Sequence, residues 1–151
     1  MITILENYIT EQQERDILSI LPNINQDRDS GRNRVFRWGS KKAYNKDIIS
    51  KDIPYVFKQF NFKFDSVTIN EYLPGQFLDW HTDNAKSGEK IIILSLLGSA
   101  TMKLRSLKEE ISYQIPPRSL TIMEGEHRWS WEHYVSVEEK RYSVVFRNTH
   151  A

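Results

Sequence analysis

Ile91-Ile92-Ile93-Leu94-Ser95-Leu96-Leu97 is a continuous apolar run broken by a single serine. Its length suits a strand, and a strand that is apolar at odd and even positions alike is buried on both faces. Shorter runs of β texture lie around it, at residues 67–72, 101–104, 110–115, 119–123, 129–135 and 142–147. Pro74-Gly75, Pro116-Pro117 and Gly125 punctuate them as turns. Upstream, Thr10 and Gln13 form a capping box ahead of a helix over residues 11–21. There Ile17, Leu18, Ile20 and Leu21 share one face, and Pro22 stops the helix. A second helix is expected over residues 53–60, with Pro54 in its first turn. Two helices followed by about seven closely spaced strands predict an α+β fold with a sandwich or jelly-roll core.

The 151 residues suit a single domain, with 39% apolar and 27% charged residues, as in globular chains. Residues 1–65 read as helices and a short basic lid, and residues 66–148 as the jelly-roll core. No apolar run approaches the roughly 20 residues that cross a bilayer. The start, Met1-Ile2-Thr3-Ile4-Leu5-Glu6, does not read as a signal peptide. Without cysteine there is no disulfide or thiolate ligand, so any metal sits on nitrogen and oxygen. A reducing cytoplasm is the expected setting.

Trp80-His81-Thr82-Asp83 contains His-x-Asp. On an extended segment residues i and i+2 project to the same side, so both side chains can reach one ion. His133 lies in β texture and can supply a third ligand from a facing strand, and His127, in a Gly125-Glu126-His127 turn, competes for that place. Two histidines and one carboxylate leave open positions on a metal, as non-haem iron(II) oxygenases require. His-x-Asp alone is a weak signal.

Arg141-Tyr142-Ser143-Val144-Val145-Phe146-Arg147 strengthens it. Arg141, Ser143 and Arg147 share one parity, while Tyr142, Val144 and Phe146 share the other and suit packing. Guanidinium groups in a buried run need anionic partners. Glutamates could serve, and so could a dicarboxylate bound in bidentate fashion.

Taken together, these stretches resemble the AlkB family of Fe(II)/2-oxoglutarate dioxygenases. Asn70-Glu71-Tyr72-Leu73-Pro74-Gly75 is similar to the family's Asn-x-Tyr-x-x-Gly, and His81-Thr82-Asp83 to its metal motif. Residues 123–133 resemble its Gly-Glu-x-Arg-x-x-x-x-His segment, an alignment that selects His133 over His127. Residues 141–147 resemble its closing Arg-x5-Arg. The first 65 residues match only through Arg34, Arg37 and Gly39.

The resemblance implies a double-stranded β-helix, or jelly roll, with helices packed on one sheet. It implies Fe(II) on His81, Asp83 and His133. It places the distal carboxylate of 2-oxoglutarate on Arg141, with hydrogen bonds from Asn70, Tyr72 and Ser143, and puts Arg147 near the metal-side carboxylate. The implied reaction decarboxylates 2-oxoglutarate to succinate and CO2 and hydroxylates a substrate C–H bond. On an N-methyl group the product collapses and releases formaldehyde. Many repair demethylases of the family carry an acidic residue two places after the metal aspartate, where this chain has Ala85. Residues 116–133 look more like the branch that acts on RNA, tRNA-modifying members included.

Charge points the same way. Although the whole chain is near neutral at +1, Arg28, Arg32, Arg34, Arg37, Lys41, Lys42 and Lys46 crowd one stretch with Phe36, Trp38 and Tyr44 among them. Basic and aromatic side chains together grip phosphate and stack bases. Arg32, Arg34, Phe36, Arg37, Trp38, Lys41, Lys42 and Tyr44 are therefore the expected substrate contacts. The expected partners are nucleic acid (RNA or single-stranded DNA), 2-oxoglutarate and O2, with no membrane, and the expected state is a monomer. The same chemistry on a protein or small molecule, and a non-catalytic jelly-roll binding module, are the competing readings.

Overall fold

The computed structural model describes residues 1–22 and 33–149, so Arg32 and His150 lie outside the described residues. The described strands form two sheets. From edge to edge the larger runs β1 (Ile2–Leu5), β9 (Leu120–Met123), β6 (Ile91–Leu96), β11 (Arg141–Arg147), β4 (Ser66–Tyr72), β2 (Arg34–Gly39) and β3 (Ile48–Ser50). The smaller runs β5 (Phe77–His81), β10 (Glu132–Ser136), β7 (Ala100–Arg105) and β8 (Glu110–Ile115). Neighbours are antiparallel except β2 and β3. The arrangement is of the jelly-roll type.

Strand β6 is buried at every position, as its composition requires. Ile91 and Ile93 join a cluster fed by both sheets, with Met123 and Val145 on one side and Met102, Leu104, Ile115 and Val135 on the other. The alternate residues Ile92, Leu94 and Leu96 join a second cluster with Ile17, Phe57 and Phe146 on the outer face of the larger sheet. One strand thus divides two apolar layers. Leu94 is 0% exposed, and truncating it to alanine removes contacts on the scale of about 2–5 kcal/mol.

Helix α1 (Glu11–Ile20) covers that outer face. Its capping box is present: Gln13 N donates to Thr10 Oγ1 at 3.1 Å, and Thr10 N donates to Gln13 Oε1 at 2.8 Å. Buried Glu14 accepts from Leu97 N at 2.9 Å and pairs with Arg118 at 3.2 Å, anchoring the helix to the sheet.

The second expected helix does not form. Residues 53–60 contain only a 3-10 turn, Tyr55–Gln59, flanked by extended Pro54 and Phe60 and lacking a side-chain cap. A span this short is not held as an α-helix by its own propensity, so packing decides its form, and the turn keeps Phe57 fully buried in the core. The expected strand at 129–135 also starts late. Its first part closes a one-turn helix, α2 (Glu126–Trp129), before β10 begins.

Gly39 ends β2 with φ +97°, and a Cβ there would lie 2.2 Å from Asp65 O. Only glycine fits both the backbone angle and the close approach. The chain then leaves the sheet and forms the wall of a cleft over the site.

Candidate active site

His81 ends β5, and His133 lies directly opposite it on β10. Their ring centroids are 4.1 Å apart. Asp83 Oδ1 stands 3.5 Å from His81 Nε2 and 3.4 Å from His133 Nε2. One ligand atom from each of the three lies within 4.8 Å of the others, a spacing one ion can bridge with bonds of roughly 2.0–2.2 Å. His127 is elsewhere, packed edge-on against Trp131 at 4.7 Å.

Strand parity does not explain how Asp83 arrives there. It lies in the loop beyond β5, and the loop is held from outside. Buried Arg128 donates from Nε to Gly88 O at 2.9 Å, from Nη2 to Asn84 O at 2.9 Å and from Nη1 to Asp83 O at 3.3 Å. Its guanidinium rests over Trp129 at 4.0 Å. From the other side, Asn84 N donates to Tyr44 Oη at 2.9 Å.

Arg147 fixes the carboxylate itself, donating to Asp83 Oδ2 from Nε at 2.9 Å and from Nη2 at 2.8 Å. Its Nη1 donates to Thr68 Oγ1 at 2.9 Å. Burial raises the Asp83 pKa, but Arg147, helped by both histidines, outweighs it and holds the carboxyl well below its ordinary value. Burial drives His133 down to about 4, which keeps its imidazole neutral and able to ligate at pH 7. For His81 burial also lowers the pKa, but Asp83 and the Asp79 carbonyl reverse it to a net rise. His81 Nδ1 lies 2.6 Å from Asp79 O; donating there leaves Nε2 bare for a metal. The donor set therefore fits a divalent ion with open positions.

A cavity between the sheets leads from these residues to Arg141, with Ile91, Ile93, Met102, Ile115 and Val135 among its walls. Arg141 sits opposite Tyr72, and Ser143 opposite Asn70, on adjacent strands. Arg141 Nη2 donates to Ser95 Oγ at 2.7 Å. Its buried Nε and Nη1 have no hydrogen-bond partner among the described residues. Burial lowers the Arg141 pKa, with Tyr72 opposing. Two buried guanidinium donors without partners among the described residues fit the carboxylate of a dicarboxylic acid. Asn70 Nδ2 donates to Ser143 Oγ at 3.3 Å, and Asn33 Nδ2 to Asn70 Oδ1 at 2.7 Å.

The basic-aromatic stretch divides by strand parity. Arg37, Tyr44 and Lys46 line an open cleft of about 330 Å3 that reaches His81, Asn70 and Arg147. Tyr44 has the guanidinium carbons of Arg37 and Arg147 each 4.7 Å from its ring centroid. Lys41 and Lys42 are exposed. Phe36 and Trp38 are corrections. They project from the other face of β2 into the outer core, 3% and 6% exposed, and cannot reach a substrate. Arg34 shares their parity and pairs with Glu71 at 3.8 Å, away from the cleft.

Arg128, Ser95 and Asn33 were not singled out by sequence reasoning. Ser95 had left a signal, as the one polar residue in the apolar run that became β6. Arg128 stood inside a quoted motif without a role, and Asn33 carried no pattern at all.

Fold and site define a jelly-roll protein with a two-histidine, one-carboxylate centre beside an arginine-ended cavity. The chain belongs to the 2OG-Fe(II) oxygenase superfamily, which it matches over residues 41–148, and is AlkB-like. The family's cofactors are Fe(II) and 2-oxoglutarate. It is 33% identical over 102 residues to the uncharacterized protein L905 of Acanthamoeba polyphaga mimivirus, covering 57% of this chain and 49% of that one. It is 28% identical over 157 aligned residues to the mouse tRNA (carboxymethyluridine(34)-5-O)-methyltransferase ALKBH8, covering 88% of this chain and 24% of that one. The chain thus spans half or less of the length of these relatives. The solved structure of OsALKBH1 superposes with a TM-score of 0.72 over 97% of both chains at 13% identity, a likeness of fold.

Proposed function

We propose that this chain oxidises a base in nucleic acid, with RNA the favoured substrate, using Fe(II) held by His81 Nε2, Asp83 Oδ1 and His133 Nε2. The observation that carries the reading is the convergence of those three atoms at the junction of the inner cavity and the outer cleft. Bound Fe(II), with 2-oxoglutarate and O2, supplies an oxidation that yields succinate and CO2 and hydroxylates a substrate C–H bond, releasing formaldehyde when that carbon is an N-methyl.

The chain's own residues do the rest. Arg141 binds and orients the distal carboxylate of the cosubstrate, with Asn70, Tyr72 and Ser143 as hydrogen-bonding neighbours. Arg147 keeps Asp83 ionised and aims Oδ1 at the metal. The aliphatic walls exclude water from the cosubstrate cavity. Arg37, Tyr44 and Lys46 receive the substrate strand, from which the target base must leave the stack to reach the centre. The likeness to three ALKBH8 proteins named as tRNA methyltransferases supports RNA, while a further ALKBH8 homologue is named for alkylated DNA repair.

Turnover with Fe(II), ascorbate and 2-oxoglutarate, followed by a screen of methylated RNA and DNA oligonucleotides, tests the reading. Succinate formation is expected in all cases, with stimulation and formaldehyde release on a subset of single-stranded RNAs. Succinate without stimulation by any oligonucleotide would transfer the chemistry to a protein or small molecule.

A further inference from the structure

We propose that Thr121 is a further cosubstrate-binding residue, its hydroxyl donating to the same carboxylate of 2-oxoglutarate that Arg141 binds. This rests on the cavity reading given above. Thr121 is 1% exposed, and its Oγ1 has no hydrogen-bond partner among the described residues. Its cross-strand neighbours are Ile4 on β1 and Ile93 on β6. A valine would fill that aliphatic setting without stranding a hydroxyl, so packing gives no reason for threonine.

Thr121 lines the same cavity as Arg141. Strand register brings the two together. Ser95, which accepts from Arg141 Nη2 at 2.7 Å, is two residues along β6 from Ile93 and on the same face. Thr121 lies opposite Ile93, which makes it the diagonal neighbour of Ser95, about 7 Å away between backbones and closer between side chains. Arg141 Nε and Nη1, in the same cavity, have no hydrogen-bond partner among the described residues. Three buried donors without acceptors call for a group that only accepts, and an ionised carboxylate with two oxygens is that group.

The test is anaerobic titration of 2-oxoglutarate into Mn(II)-loaded protein by calorimetry, with melting curves of the cosubstrate-free forms. Thr121→Val weakens binding about tenfold, the equivalent of about 1.4 kcal/mol. Thr121→Ser, which keeps the hydroxyl, binds within about twofold of the parent, on the scale of small packing effects. Cosubstrate-free Thr121→Val melts at the parent temperature or above it, because an unpaired buried hydroxyl has been removed. Unchanged affinity in Thr121→Val overturns the proposal. So does a lower melting temperature accompanied by equal losses in both variants, which makes Thr121 a packing residue. Arg141→Lys, run in parallel, separates this inference from the reading beneath it. Full affinity in Arg141→Lys removes the cavity reading, whereas lost affinity there beside an unchanged Thr121→Val overturns the role of Thr121 alone.

Discussion

Arg147 grips a single oxygen of Asp83, Oδ2, with two of its nitrogens at 2.9 and 2.8 Å, and so turns Oδ1 toward His81 and His133. Removing the arginine leaves a buried carboxylate without its cation, a change on the scale of about 3–5 kcal/mol. In Arg147→Met, burial then prevails and the Asp83 pKa rises. Protons compete with metal at higher pH than before, so the pH midpoint of Mn(II) binding moves upward and affinity at pH 7 falls. Titrating Mn(II) by water-proton relaxation across pH checks this. An unmoved midpoint removes the assigned role of Arg147.

Acid stability of the metal-free protein follows from His133. Burial, its largest influence, lowers its pKa from 6.5 to about 4 in the folded state. Above about pH 6.5 neither state protonates it, and its contribution to stability is intact. As pH falls toward 4 the unfolded chain binds the proton and the folded one does not, so stability drops by an amount on the order of 3 kcal/mol. His81, whose pKa is raised, offsets part of this loss. Melting temperature measured in EDTA between pH 7 and pH 4 should fall, and should fall less in His133→Asn. His127→Asn should leave metal binding unchanged.

Cosubstrate affinity depends on the fork of Arg141. Arg141→Ala loses a few kcal/mol of 2-oxoglutarate binding, the scale for one partner of a buried charged pair. Arg141→Lys also fails, since an ammonium cannot reproduce two parallel donors. Asn70→Ala and Tyr72→Phe lose less, roughly 1.5–3 kcal/mol for a hydrogen bond to a charged acceptor. Equal affinities across the series, read by anaerobic calorimetry, would contradict the assignment.

Nucleic-acid binding should follow strand parity. Neutralising Lys41, Lys42 and Lys46 together is expected to flatten the salt dependence of oligonucleotide binding by about 0.7 log unit for each lost phosphate contact on a single strand. Arg34→Gln is expected to leave the slope unchanged, because Arg34 is turned toward Glu71. If Arg34→Gln changes the slope as much as the triple variant, the strand runs over the other face of β2.

The apolar run that became β6 and the parity of Arg141, Ser143 and Arg147 were legible because period and composition act locally. His133 needed the aligned motif to be preferred over His127. The rest depended on which face each neighbour covers. Phe36, Trp38 and Arg34 read as substrate contacts because a basic-aromatic composition does not tell one side of a strand from the other. That choice is made when β2 pairs with β4 and α1 covers the outer side. The second helix gave way to a 3-10 turn because so short a span takes its form from packing, here the burial of Phe57. Asp83 reached the site by a loop clamped by Arg128, a residue distant in sequence whose partners are backbone carbonyls, and no spacing rule records such a contact.

The bond between Arg147 and Asp83 also crosses the seam of the sandwich, because Arg147 belongs to the larger sheet while His81 and His133 belong to the smaller. The carboxylate of the proposed ligand set therefore keeps its cation only while the two sheets remain closed on each other. Parting the sheets would strand a buried carboxylate, so the same contact that orders the candidate metal site also fastens one sheet to the other.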